Sequence, residues 1–359
     1  MSEQTLPTEV VTRALVRDVA LPGGAGTMAL ITLDNGRDHT RPSTFGPASL
    51  ASLQAAVEQV ARRADAGEIV AVGVTGKPFV FAAGADLTMV GAGRTREDAL
   101  GIGRLGHDVF RRFGELAVPS FAFVNGAALG GGVELPLHCT YRTVSSGVTA
   151  IALPESFLGL VPGWGGTYLL PNLVGPEKAV EVIIANALNT NTMLNGAKAH
   201  GLGIFDAIFE PADFLAQSLV WAGEVVTGRR SVERTPVDRD EQLWEGALKG
   251  GKKIADAKVH GAAPAPYRAL ELIRLARTAD RDTAFEAESQ ALADLVMGDE
   301  LRSSLYAFDL VNRRARKPAG APDKALARPV TSVGVVGAGL MASQLALLFV
   351  RRLQVPVVL

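Results

Sequence analysis

The stretch from Val118 to Leu137 constrains this chain most. It is a long apolar segment, but Pro119, Gly126, Gly130, Gly131, Gly132 and Pro136 interrupt it, and it carries Asn125 and Glu134. A helix crossing a bilayer needs about 20 predominantly apolar residues, and this stretch breaks its own helix and holds a carboxylate. A buried strand, Ser120 to Val124, turning through glycines into a helix accounts for it better. Similar signals precede it. Met28 to Leu33 is an apolar run ending at the turn Asp34-Asn35-Gly36. Leu50 to Ala64 has the spacing of an amphipathic helix, with Leu50, Leu53, Val57 and Val60 on one face. Ile69 to Thr75 is a β-rich run closed by Gly76-Lys77-Pro78, Phe79 to Phe81 begins another, and Leu105 to Leu116 predicts a helix. Strands alternating with helices define an α/β architecture.

The chain has 359 residues, enough for two domains or for one large domain and a fragment. Turn residues punctuate Ala150 to Gly175. Helical patterns dominate from Pro176 to about Arg316, with apolar faces from Leu270, Ile273, Leu275, Leu292, Leu295 and Val296. Lys317 to Pro329 is rich in Pro, Ala and Lys and predicts a linker. Beyond it come a strand signal at Val333 to Val336, a helix at Ser343 to Arg352 and a second strand at Val355 to Leu359. The net charge of −1 gives no general electrostatic case for nucleic acid or a membrane surface. Cys139 is the only cysteine, so no intrachain disulfide can form, which suits a reducing cytoplasm. Met1 to Val10 is polar and acidic and lacks the apolar core of a signal peptide. His107, His138, His200 and His260 are scattered without ligand spacing, and no metal is expected.

Three segments carry chemistry. The first is Ala82-Ala83-Gly84-Ala85-Asp86-Leu87. The second runs from Asn125 through Gly130-Gly131-Gly132 to Glu134-Leu135. The third is Leu153-Pro154-Glu155, continuing through Gly159 to Pro162-Gly163-Trp164-Gly165-Gly166-Thr167. A glycine turn entering a helix leaves backbone N–H groups unpaired. Two such turns facing each other form an oxyanion hole for an enolate-like charge. Gly131 lets a ligand approach its backbone closely. Glu134 and Glu155 lie in apolar surroundings, where burial raises a carboxyl pKa towards neutrality and fits it for acid–base work. Taken singly, each segment is an ordinary turn, and a glutamate in a first helical turn is an ordinary dipole partner.

In this order and at these separations the three segments resemble the signature of the crotonase superfamily, over roughly Met28 to Val226. The resemblance implies a spiral of ββα turns with helices that often mediate trimers. It implies that Ala85 and Gly131 supply the two oxyanion amides and that Ala83, Gly84, Asp86, Leu87 and Thr88 line a CoA pocket. Glu134 and Glu155 match the paired glutamates of enoyl-CoA hydratases, Glu134 activating water and Glu155 supplying the proton to Cα. Gly163 falls where the family holds the second glutamate by a backbone amide. The pair favours hydration over a Δ3-Δ2 enoyl-CoA isomerase, whose members often keep one carboxylate, and over a non-catalytic scaffold for a thiolase. Arg37-Asp38-His39-Thr40-Arg41-Pro42 departs from the usual sequence of simple hydratases, leaving Arg37 and Arg41 as candidate CoA cations beside the alternative of a solvated loop. Tyr168-Leu169 stands where many members have an arginine.

Gly337-Ala338-Gly339-Leu340-Met341-Ala342 fits the dinucleotide fingerprint, following a strand and opening a helix, with Gly337, Gly339 and Ala342 as the cofactor-binding candidates. The pattern resembles the NAD-dependent 3-hydroxyacyl-CoA dehydrogenase domain that follows the hydratase in multifunctional β-oxidation enzymes. The carboxylate that holds the ribose, the remaining strands and the catalytic His–Glu pair of such a domain do not follow, so a chain cut short early in that domain is expected, inactive as a dehydrogenase by itself. The expected organisation is a hydratase domain at 1–226, a helical region at 227–316, a linker at 317–330 and a dinucleotide-binding fragment at 331–359. The implied partners are an acyl-CoA substrate, with no cofactor for hydration, and a thiolase subunit.

Overall fold

The computed structural model describes residues 9–86, 95–311 and 320–359. The chain divides into two compact units, Met1–Ala307 and Phe308–Leu359.

The first unit is built on a six-stranded sheet in the order β1-β2-β3-β5-β7-β9 and a three-stranded sheet β4-β6-β8. The strands are β1 (Arg13–Leu21), β2 (Gly26–Asp34), β3 (Ala71–Gly76), β4 (Val80–Ala82), β5 (Ser120–Val124), β6 (Ala127–Leu129), β7 (Tyr141–Ser145), β8 (Ile151–Ala152) and β9 (Ala207–Phe209). Among the described strands, only β1 and β2 pair antiparallel. The other pairs in both sheets are parallel. From β3 onward, successive strands go alternately to the large sheet and the small one. Helices follow each pair: α1 (Pro47–Asp65) after β2, α2 (Arg96–Arg111) after β3–β4, α3 (Gly131–His138) after β5–β6 and α4 (Glu155–Leu158) after β7–β8. This is a spiral of ββα turns, the crotonase fold.

The large sheet is covered on both faces at β2, β3 and β5, so these strands read as near-continuous apolar runs rather than alternating ones. On β2, Ala29, Ile31 and Leu33 enter the main core, while Met28 and Leu30 pack with Phe121, Phe123 and Trp221 on the other face. Trp221 belongs to α6 (Phe214–Val226), after α5 (Gly166–Val174). Three longer helices complete the unit: α7 (Glu241–Val259), α8 (Ala265–Ala276) and α9 (Arg281–Val296). Their Trp244, Leu248, Leu270, Ile273 and Leu295 join the same core as β2, β3 and α1.

The expected strand at Ser120 to Val124 is found with those limits. The expected helix at Leu105 to Leu116 starts earlier, at Arg96, because Thr95 and Asp98 form a reciprocal capping box; it ends in a 3-10 turn at Arg112–Gly114. The expected strand at Val333 to Val336 is the two-residue β10 (Val333–Gly334). It pairs parallel with β11 (Val357–Val358), and α10 (Leu340–Leu353) connects them, giving the expected βαβ piece in the second unit. No described helix is long and apolar enough to cross a membrane.

Candidate active site

The small sheet carries the site on its strand ends. Gly84 and Ala85 follow β4, Gly130 and Gly131 follow β6, and Glu155 follows β8. Three parallel neighbours therefore bring the three sequence segments to one place.

Ala85 bridges Phe45: the Phe45 amide donates to Gly84 O at 2.8 Å, and the Asp86 amide donates to Phe45 O at 3.2 Å. In a parallel bridge of this kind the N–H of Ala85 itself faces away from Phe45. Gly84 presses against the second turn, since a Cβ built on it would lie 2.8 Å from Leu129 O and 3.0 Å from Gly131 N. Gly131 opens α3, where its amide has no carbonyl one turn back. The two turns meet as expected. Ala83 is spoken for on its amide side, donating to Ser43 O at 2.8 Å. Leu87 and Thr88 lie outside the described residues.

Glu134 is 1% exposed in the first turn of α3. Its Oε1 accepts the amides of Trp164 and Gly166, each at 2.8 Å. Removing a carboxylate from water costs several kcal/mol, and each amide bond to a charged group returns about 1.5–3 kcal/mol. Burial wins, aided by the charges of Glu288 and Glu155, and the carboxyl is held well above the usual carboxylate range. Glu155 differs. Its Oε2 is enclosed without a hydrogen-bond partner, and its Oε1 lies over Gly130. Burial, with Glu288 adding, pushes this carboxyl up to about 8.

Glu134 is therefore held by two amides of the segment after Gly163. Gly163, expected to hold Glu155 by its amide, turns its Cα face to Leu292 of α9, and the amides on Glu134 come from Trp164 and Gly166. Sequence reasoning also missed Glu288. This residue is 0% exposed on α9, and its carboxylate accepts the Gly165 amide at 2.5 Å, the Thr167 amide at 2.9 Å and the Thr167 hydroxyl. His107 Nε2 lies 3.0 Å from its Oε1. The signal was present: Ala284, Glu288 and Leu292 fall at helical spacing on one face, and a glutamate among apolar residues there marks a buried carboxylate.

His138, the last residue of α3, is buried, and burial pushes it down to about 3. The neutral ring donates from Nε2 to Trp164 O at 2.8 Å. Trp164 is thus tied at both its amide and its carbonyl, and its indole packs against Phe45 and Phe110.

Arg37 and Arg41 are exposed in the loop after β2. The loop is organised by Lys77, 4% exposed, whose ammonium donates to Asn35 Oδ1 at 2.6 Å and to the carbonyls of Arg37, Asp38 and Arg41 at 2.9, 2.9 and 2.6 Å. Among the described residues no group of three or more His, Cys, Asp or Glu is placed to hold a metal. In the second unit, Gly337 has φ 120°, a conformation open to glycine, and a Cβ on it would sit 3.8 Å from that of Ala342. Gly339 precedes the first residue of α10 with open space around it.

A ββα spiral with two opposed glycine turns, a buried glutamate and a half-buried one beside them defines a fold of the crotonase type. The family model for enoyl-CoA hydratase/isomerase matches residues 24–236, more than half of the chain, and the chain belongs to that family. It is similar to the fatty acid oxidation complex subunit alpha of Shewanella loihica, 33% identical over 92% of this chain, and to that of Shewanella halifaxensis, 32% identical over 92%. The chain spans about half the length of these curated relatives, 46% in each case. Among solved structures, human mitochondrial delta3-delta2-enoyl-CoA isomerase has a TM-score of 0.58 at 21% identity, covering 85% of this chain and 99% of that one, a likeness of fold. Pseudomonas aeruginosa DspI has a TM-score of 0.51 at 26% identity, covering 79% of this chain and 96% of that one.

Proposed function

We propose that the first unit is an enoyl-CoA hydratase that adds water to trans-2-enoyl-CoA and gives 3-hydroxyacyl-CoA in fatty-acid β-oxidation. The observation that carries this reading is the unequal pair beside the glycine turns. Two buried carboxyls near each other do not both ionise readily. Burial raises both carboxyls, and at Glu134 the two amides on one oxygen oppose that rise and favour the ionised form the base needs. Glu155, with an unpartnered oxygen, keeps the proton below about pH 8. Environments that separate two carboxyls in this way assign the base and the acid. Glu134 takes a proton from water as the oxygen attacks Cβ. The π electrons move to the thioester oxygen, where the amides of Ala85 and Gly131 hold the charge. Glu155 delivers a proton to Cα. No cofactor enters. Ala83, Gly84, Asp86, Leu87 and Thr88 are proposed to line the CoA pocket, with Arg37 and Arg41 as candidate cations.

The names of the Shewanella relatives support a place in β-oxidation and assembly with another subunit, for which a thiolase is proposed. The second unit is proposed to begin an NAD-binding 3-hydroxyacyl-CoA dehydrogenase domain. The βαβ connection, the open turn at Gly337 and Gly339 and the close approach of Ala342 fit a pyrophosphate at a helix N-terminus. Bound there, NAD supplies hydride acceptance. The proposed location is the cytoplasm, which a single cysteine suits.

The test offers crotonyl-CoA and a trans-3-enoyl-CoA separately and identifies the products. The hydratase reading expects 3-hydroxybutyryl-CoA from the first. Turnover of the trans-3 substrate alone would replace it with an isomerase.

A further inference from the structure

The loop from Gly163 to Thr167 is gripped from two sides. The amides of Trp164 and Gly166 go to Glu134, and those of Gly165 and Thr167, with the Thr167 hydroxyl, go to Glu288. Gly165 is left-handed with φ 107°, and Gly166 and Thr167 open α5, where amides have no carbonyl one turn back, so this one short segment serves both carboxylates. Glu288 lies on α9, beyond the residues 24–236 that the family model matches.

The region around Glu288 is closed. His107 of α2 has Glu288 on Nε2 at 3.0 Å and Ser289 Oγ on Nδ1 at 3.1 Å, and it stacks on Phe285 at 4.3 Å. A carboxylate, an imidazole and a serine hydroxyl in line have the order of a nucleophilic relay. Here His107, Glu288 and Ser289 are 3%, 0% and 1% exposed, so no substrate reaches the hydroxyl. The network supports something else, and the loop is what it touches.

We propose that Glu288 is a positioning residue of the hydration site: it fixes the Gly163–Thr167 loop from the side opposite Glu134, so that the Trp164 and Gly166 amides hold Glu134 in place for the attacking water. The helix α9 therefore completes the active site, and a chain ending at the family segment lacks a working part. This rests on the hydratase reading. Among the described residues, the charged and titratable groups acting on or against Glu288 are His107 on α2, Glu134 on α3 and Glu155 on α4, and His138 packs on Phe285 beside it. Its neighbour Glu286 points outward and pairs with Arg104 at 2.7 Å.

The experiment measures crotonyl-CoA hydration against pH for the full chain, for Glu288→Gln and for Glu286→Gln. A misplaced base costs about tenfold to a hundredfold in rate. Glu288→Gln is expected to lower kcat on that scale with KM within about twofold. Removing its charge relieves repulsion on Glu134 and Glu155, so both limbs of the pH profile move to lower pH. A residue needed only for folding would reduce the amount of active protein and leave the profile of the remainder unmoved. Glu286→Gln should match wild type. If Glu288→Gln does not fold, Thr167→Val, which removes one donor to Glu288, should lower kcat several-fold, and Thr167→Ser should restore it. An active wild type whose Glu288→Gln variant folds with unchanged kcat and pH profile overturns the positioning role alone. So does a Thr167→Val variant equal to wild type where Glu288→Gln fails to fold. An inactive wild type overturns the hydratase reading and the positioning role with it.

Discussion

Glu155 and Gly130 are in contact: a Cβ built on Gly130 would lie 2.5 Å from Glu155 Oε1. Gly130 has φ 53° and ψ −124°, and its amide donates to Ala152 O at 2.9 Å, which ties the turn into α3 to the strand that leads to Glu155. The absence of one side chain lets the proposed acid rest against the proposed oxyanion turn.

Gly130→Ala is expected to fail on both counts. The strained backbone costs about 1–3 kcal/mol of stability, and the new methyl displaces the Glu155 carboxyl. The rate of enoyl-CoA hydration should fall about a hundredfold, the scale of a misplaced catalytic group. Thermal melting beside steady-state kinetics separates the two effects.

The raised carboxyl of Glu155 gives a signed prediction for stability. Its folded value of about 8 lies above its ordinary 4.5. Between those values the folded state binds more protons than the unfolded state, so stability is fully present below about pH 4.5 and is lost as pH rises through about 8. Glu155→Gln, which cannot ionise, should become more stable relative to wild type as pH goes from 4.5 to 8. Denaturant midpoints at the two pH values check this, and a difference independent of pH would contradict the assignment.

Lys77 is a lever on the loop after β2. Lys77→Met removes four charge-assisted bonds to that loop. The expected loss is about 1–3 kcal/mol of stability, since the freed carbonyls are near solvent. If Arg37 and Arg41 contact CoA, the variant raises KM for acyl-CoA several-fold with kcat little changed. Substrate titration of the hydration rate reads this directly.

Much of the spiral was legible because the large sheet is covered on both sides. β2 carries the apolar stretch Met28 to Ile31 and β5 the stretch Phe121 to Val124, and such runs are easily seen. β1 was not legible. It is an edge strand, and Arg13, Arg17 and Asp18 on it face solvent, Asp18 pairing with Arg63 at 2.8 Å. The Pro22-Gly23-Gly24-Ala25-Gly26 turn that follows was a signal for its hairpin. In the site, the glycine turns and both glutamates stood out in the sequence by their combined order and separation, each segment being ordinary by itself. Glu288 was legible at most as a buried carboxylate; its significance comes from a segment more than a hundred residues earlier, and only packing joins the two.

Hydration of crotonyl-CoA, followed by the loss of enoyl-thioester absorbance, tests the central claim most directly when wild type is run beside Glu134→Gln and Glu155→Gln. The account predicts an active wild type and a loss of about a hundredfold or more in each variant, the scale for removing a general base or acid. A folded wild type inactive on short and long enoyl-CoAs, or variants that keep full activity, would contradict it.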